Sequence, residues 1–116
     1  MIVPDLNLLI YAIDESFPQH ARARDWWRGC LRCDEPIGLC DVVVFGFIRL
    51  STRRGVFAQP LPVHVVVDLV AQWSALPQVE MLGLCEQARA NALRWMREFG
   101  VAGNLTTDLQ IAAIAL

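Results

Sequence analysis

The chain has no lysine, and all ten of its basic residues are arginine. That absence excludes every mechanism that needs a lysine amine. It also sets aside a receiver-like phosphoacceptor domain, which places aspartates at strand ends but relies on a lysine. Charge of either sign is scarce, at 19% of residues with a net value of −2. A broad electrostatic grip on nucleic acid needs a basic surface, so any such site here has to be local, with a metal and a few arginines countering phosphate charge. Long apolar runs are missing as well. The runs 42–48 and 111–116 fall far short of the roughly 18 residues that a membrane span requires. Met1–Ile2–Val3–Pro4–Asp5 carries no basic lead-in and has an acid where a signal peptide is apolar, so the expected location is cytoplasmic, away from membranes. Cys30 and Cys33 form a single C-x-x-C, and the second pair of a zinc site is lacking. Spaced to share a helix face, they read as core residues rather than a zinc or redox site, and Cys40 and Cys85 are expected to be free.

What the chain has in abundance is apolar side chain, 55% of its 116 residues. One domain over 1–116 has ample material for a core, and the surplus implies a surface covered by a partner. Ile2–Val3–Pro4–Asp5 reads as a short strand, weakened by Pro4, which cannot donate to a ladder. Leu6, Leu9, Ile10 and Ile13 then recur at helical spacing, and Asp14–Glu15–Ser16 ends that helix. Pro18 suits the first turn of a second helix running to about Arg32, with Trp26, Trp27, Cys30 and Leu31 inward and Arg22, Arg24, Arg28 and Arg32 outward.

Residues 36–39 read as a strand, and Asp41 suits the cap of a segment from Val42 to about Thr52. That segment is β-branched, but its Phe45–Ile48–Arg49–Thr52 spacing and its length favour a buried helix. A loop follows from Arg53 to Pro62, then a helical stripe of Val63, Val66, Val67, Val70 and Trp73, and a strand at 79–82. A helix from about Glu86 to Phe99, carrying Ala88, Ala92, Trp95, Met96 and Phe99 on one side, ends at Gly100. Gly103–Asn104 makes a turn, and Thr106 or Thr107 caps a last helix with Asp108 in its first turn. Strands alternating with helices mean βαβ units and a mainly parallel α/β sheet flanked by helices.

In open α/β sheets ligands bind beyond the carboxyl ends of the strands. Asp5 stands at such an end, and Asp108 stands where a helix dipole favours an ionised carboxylate. Two acids at strand–helix junctions suit Mg²⁺, which takes hard oxygen ligands and keeps several waters. An aspartate in a helix's first turn is also a common cap, and both readings stay open for Asp108 and for Asp41. The tryptophans lie on helix stripes and read as core rather than base-stacking platforms. His20 and His64 read as surface residues without metal-ligand spacing. Arg49, Arg53 and Arg54 flank a loop, as candidate RNA contacts or as solvated charge.

The segments 2–12 (IVPDLNLLIYA), 45–52 (FGFIRLST) and 103–113 (GNLTTDLQIAA), in that order, resemble the PIN-domain ribonucleases, specifically the VapC-type toxins of toxin–antitoxin pairs. The resemblance runs over the whole chain. It implies a three-layer PIN-like α/β fold, a Mg²⁺-dependent (or Mn²⁺-dependent) endoribonuclease, an RNA substrate, a VapB-type antitoxin and a homodimer. Asp5 and Asp108 match two of the family's catalytic, metal-binding acids, and Asn7 matches a polar position beside the first. Two departures stand out. Gly46 occupies a position where many relatives carry glutamate, and the family's last acid would lie beyond Leu116. The chain stops inside an apolar helix, so the expectation is a domain cut short before its final strand. A rival expectation is therefore a catalytically impaired relative that only binds antitoxin or dimerises. A sheet short of a strand leaves apolar surface open, so the isolated chain is expected to self-associate; a monodisperse, heat-stable monomer on a sizing column would contradict this.

Overall fold

The structure is a computed structural model, and it describes residues 1–55, 57–100 and 103–116. The elements run α1 (Leu6–Ile13), α2 (His20–Arg32), β1 (Ile37–Cys40), α3 (Asp41–Ser51), α4 (Val63–Ser74), β2 (Val79–Leu82) and α5 (Glu86–Phe99). A 3₁₀ turn at Gly103–Leu105 then leads into α6 (Thr106–Ala115). Val56, inside the expected 53–62 loop, lies outside the described residues.

The sheet is built around β1. It pairs in parallel with β2, Ile37 opposite Val79 and Cys40 opposite Leu82. All four of its residues are buried, so both faces are covered, as parallel strands require. On its other side the N-terminal segment makes one bridge. The Ile2 N–H donates to the Pro36 carbonyl (2.7 Å), and the Gly38 N–H donates to the Ile2 carbonyl (2.8 Å). The expected strand at 2–5 is thus a single parallel bridge. Pro4 has no N–H for a second rung, and Asp5 already turns the chain into α1. Gly38 has no room for a side chain, because a Cβ there would lie 2.5 Å from Leu82 Cδ1 and 2.9 Å from Met1 Sδ.

α1 ends at Asp14, whose N–H donates to the Ile10 carbonyl (2.9 Å) and whose Oδ1 accepts from Ser16 N–H (3.0 Å) and Oγ (2.8 Å). α2 begins later than expected. Phe17 to Gln19 lie in a turn, with the His20 N–H donating to the Phe17 carbonyl (3.1 Å), so Pro18 precedes the N-cap Gln19. Trp26 is another correction: it is 41% exposed, stacked on the edge of the core against the buried Trp27 at 6.2 Å. Adjacent helical positions point about 100° apart, and Trp27 takes the inward one.

The core is tied together by aromatic edges. Trp27 meets Trp73 of α4 at 5.3 Å, nearly perpendicular, and Trp73 meets Phe47 of α3 at 5.5 Å. Leu9, Val43 and Val66 fill the space around them. On α4 only Val66 and Trp73 of the expected stripe are buried, while Val63 and Val67 are exposed. A smaller cluster of Ala88, Ala92 and Ala113, with Trp95 and Ile114 packed on it, holds α5 to α6. Gly100 closes α5 in the left-handed conformation at φ 64°, which a residue with a Cβ rarely adopts.

α3 shows two faces of opposite consequence. Phe47 is completely buried, whereas Phe45 is 68% exposed. Phe47→Ala should cost about 3–5 kcal/mol through lost transfer energy and a residual cavity. Phe45→Ala should change stability by about 0.5 kcal/mol or less. Thermal denaturation of the two variants side by side checks both values.

Candidate active site

Asp5 has extended backbone angles (φ −78°, ψ 157°) and caps α1, its Oδ1 accepting from the Leu6 N–H at 2.6 Å. The contact fixes the carboxylate at the helix's positive end. Asp41 departs from the expected capping role. The N-cap of α3 is Cys40, which makes no side-chain capping hydrogen bond, and Asp41 is already the first helical residue, exposed to solvent. β1 runs so directly into α3 that no residue is left between them to serve as a polar cap. Asp41 Oδ2 lies beside Gly83, where a Cβ would sit 3.3 Å away. The carboxyl ends of β1 and β2 therefore meet at this carboxylate.

Asp108 sits in the first turn of α6 and is exposed. Neither Thr106 nor Thr107 caps that helix. The 3₁₀ turn feeds straight into it, so Leu105 occupies the N-cap with helix-like angles (φ −86°, ψ −5°) and no side-chain capping bond. α6 packs on α3, and α3 packs on α1. Between them lies a cleft of about 360 Å³ walled by Leu6, Thr107 and the α3 residues Asp41, Phe45, Gly46 and Arg49. Leu6 and Thr107 are the chain neighbours of Asp5 and Asp108, so the cleft gathers the immediate surroundings of both aspartates.

Gly46 packs closely against α1. A Cβ would come within 3.1 Å of Leu6 Cδ2. A side chain there would require the Leu6 side chain to give by a few tenths of an ångström. Among the described residues no three or more His, Cys, Asp or Glu side chains come together as a metal cage. The donors near the cleft are carboxylates, a set suited to a hard cation that keeps most of its water and needs only one or two protein oxygens.

Arg49 lines the cleft and makes no ion pair among the described residues, whereas Arg53 and Arg54 are exposed in the following loop, outside the cleft walls. Asn7 is exposed in the first turn of α1. Trp27 and Trp73 are core as expected, and His64 is exposed. His20 is half-buried, with Nδ1 2.8 Å from the Tyr11 carbonyl. Sequence reasoning missed Phe45 as an exposed cleft residue. Its signal was the one-turn spacing of Asp41, Phe45 and Arg49, which places all three on one helix face.

The sequence pattern of the PIN domain family matches residues 2–116. The chain belongs to the PIN domain family. Within it, this PIN domain is 40% identical to ribonuclease VapC33 of Mycobacterium tuberculosis over 116 residues, all of this chain and 81% of that protein. It is 29% identical to ribonuclease VapC37 of the same organism, again across all of this chain and 81% of the relative. The PIN domain thus falls in the VapC ribonuclease branch, which supports a nuclease. Its fold matches the crystal structure of M. tuberculosis VapC20, a sarcin–ricin loop cleaving toxin, with a TM-score of 0.73 at 14% identity over 98% of this chain and 80% of that one. At that identity the likeness speaks for the α/β fold alone. No helix among the described residues is long and apolar enough to cross a membrane.

The four cysteines are all free. Burial pushes the Cys30 thiol up, with Cys33 adding to the effect, and burial followed by the Asp41 charge pushes Cys40 up. Cys33 and Cys85 are exposed. Only the thiolate reacts with alkylating reagents, so native protein at neutral pH should be labelled quickly at Cys33 and Cys85 and slowly at Cys30 and Cys40. Peptide mass mapping after iodoacetamide checks this. Because a raised thiol pKa keeps the proton on in the folded state, the stabilising contribution is complete below about pH 9 and is lost as pH rises through the folded-state values.

Proposed function

We propose that the chain is a divalent-metal-dependent endoribonuclease toxin of a type II toxin–antitoxin pair, with Asp5 and Asp108 as its catalytic, metal-binding carboxylates. The observation that carries this reading is the cleft at the carboxyl ends of β1 and β2. Its walls include the neighbours of both aspartates and Asp41 itself. The all-oxygen donor set favours Mg²⁺, with Mn²⁺ as a substitute. When bound, such an ion supplies an activated water and countercharge for attack on a phosphodiester.

The chain's own residues divide the remaining work. Asp5 is held in one orientation by the Leu6 N–H, so its free oxygen needs little reordering to act as a ligand. Asp108 contributes the second carboxylate from the start of α6. Asp41, released from capping, adds negative charge on the wall that Gly46 leaves bare of acid. Asn7 is assigned the support of the Asp5 side of the site. Arg49, with no ion pair among the described residues, offers its guanidinium to an RNA phosphate, with Arg53 and Arg54 as outer contacts. The VapC relatives support RNA as substrate and a VapB-type antitoxin as the neutralising protein. A second copy of the chain is the third proposed partner.

A second reading has its own support. Gly46 offers no carboxylate, and the described residues hold no cluster of three donors. Both features fit a chain that binds its antitoxin or dimerises without cutting. Asp5 substitutions separate these readings from simple unfolding. Asn preserves an N-cap and removes the charge, whereas Ala also removes the cap at a cost of about 0.5–2 kcal/mol. Asp5→Asn should keep the melting temperature near wild type and reduce Mg²⁺-dependent cleavage of a structured RNA by about 100-fold or more. Cleavage by the wild-type chain no greater than a buffer control, with antitoxin capture intact, would favour the second reading.

A further inference from the structure

We infer that Phe45 is a base-stacking platform for single-stranded RNA in the cleft, working with Arg49 as the phosphate contact on the same helix face. The inference rests on the nuclease reading above and names how that site takes its substrate.

Phe45 lies in the middle of α3, a helix that buries Val43, Val44 and Phe47, yet it is 68% exposed. Single exposed apolar side chains are ordinary, and Leu93 and Phe99 are similarly open, so exposure alone assigns no role. Phe45 is set apart by its place on a cleft wall beside a guanidinium. The ring forms no aromatic pair among the described residues, and it lines the same cleft as Arg49 and Asp41. Positions 41, 45 and 49 follow one another by single helical turns, about 5–6 Å between neighbouring Cβ atoms. The face therefore reads carboxylate, aromatic ring, guanidinium. Gly46, beside the ring, adds no side chain to crowd it.

That order fits a nucleotide. A base needs an unobstructed π-face, a phosphate needs an arginine, and stacking on Phe works for any base. An apolar helix from a protein partner would instead call for aliphatic neighbours one turn away on each side of the ring. Here the residues four away are Asp41 and Arg49, while Val42, three away, also lines the cleft. The Arg49 guanidinium is the group that favours RNA as the occupant, the carboxylates needing a bound cation beside a phosphate, with a protein partner as the competing outcome.

The test uses the 116-residue chain carrying Asp5→Asn, so that RNA is bound but not consumed. Affinity for a fluorescein-labelled, mixed-sequence single-stranded RNA is read by fluorescence anisotropy with Mg²⁺ present. Phe45→Ala and Phe45→Leu should each weaken binding about tenfold or more, and Phe45→Trp should restore it. Melting temperatures of all variants should stay together. Full binding by Phe45→Leu would mean that apolar bulk suffices, which overturns stacking and points to a protein partner. Wild-type binding by Phe45→Ala overturns the inference as well. Cleavage by the parent chain is measured in parallel: a parent that cuts RNA while its Phe45 variants bind normally defeats the stacking platform alone. A parent that neither binds nor cuts defeats the nuclease reading and the platform with it.

Discussion

Everything in this molecule hangs from a strand four residues long. β1 is buried on both faces and hydrogen-bonded on both edges, to β2 on one side and to Ile2 on the other. A parallel strand in that position must be covered by helices. The connection from β1 to α3 has no spare residue, so the direction of β1 dictates where Asp41, Phe45 and Arg49 emerge. Ile2 is pinned to the same strand, and three residues later Asp5 leaves the sheet at the same end. One short strand thereby orients two of the three elements around the cleft.

The third element is held differently. α6 reaches the cleft through a small alanine cluster with α5 and through its packing on α3. Small side chains allow close approach of helices but bury little area, so this contact stabilises less than the Trp27–Trp73–Phe47 chain across the main core. Asp5 and Asp41 are thus anchored to the best-packed part of the molecule and Asp108 to a weaker one. A bound cation bridging the two parts would stabilise their arrangement, because any ligand that prefers the folded state does so.

Leu6 of α1 packs close against Gly46, where a Cβ would lie 3.1 Å from the Leu6 Cδ2. The neighbouring Asp41 is left as the carboxylate on that wall of the cleft, without a capping role.

Periodicity alone determined most of the elements: α1, α3, α5 and both strands begin and end within a residue or two of where the apolar spacing places them. Local chemistry also decided the left-handed Gly100 and the turn at Asp14. The family, too, was legible in three short motifs. Caps were not. Asp41 and the Thr106–Thr107 pair have the right side chains, but a cap depends on backbone angles, and those were set by how directly β1 and the 3₁₀ turn run into their helices. The strand expected at 2–5 shrank to one bridge because pairing is a non-local property that Pro4 limits. Burial of one aromatic and exposure of another two residues away was likewise invisible in composition, since Phe45 and Phe47 differ only in which side of α3 faces the core. The sequence supplied the aspartates, the arginines and the ring; only the packing of α1, α3 and α6 decided that Arg49 and Phe45 share a cleft while Arg53 and Arg54 stand outside it.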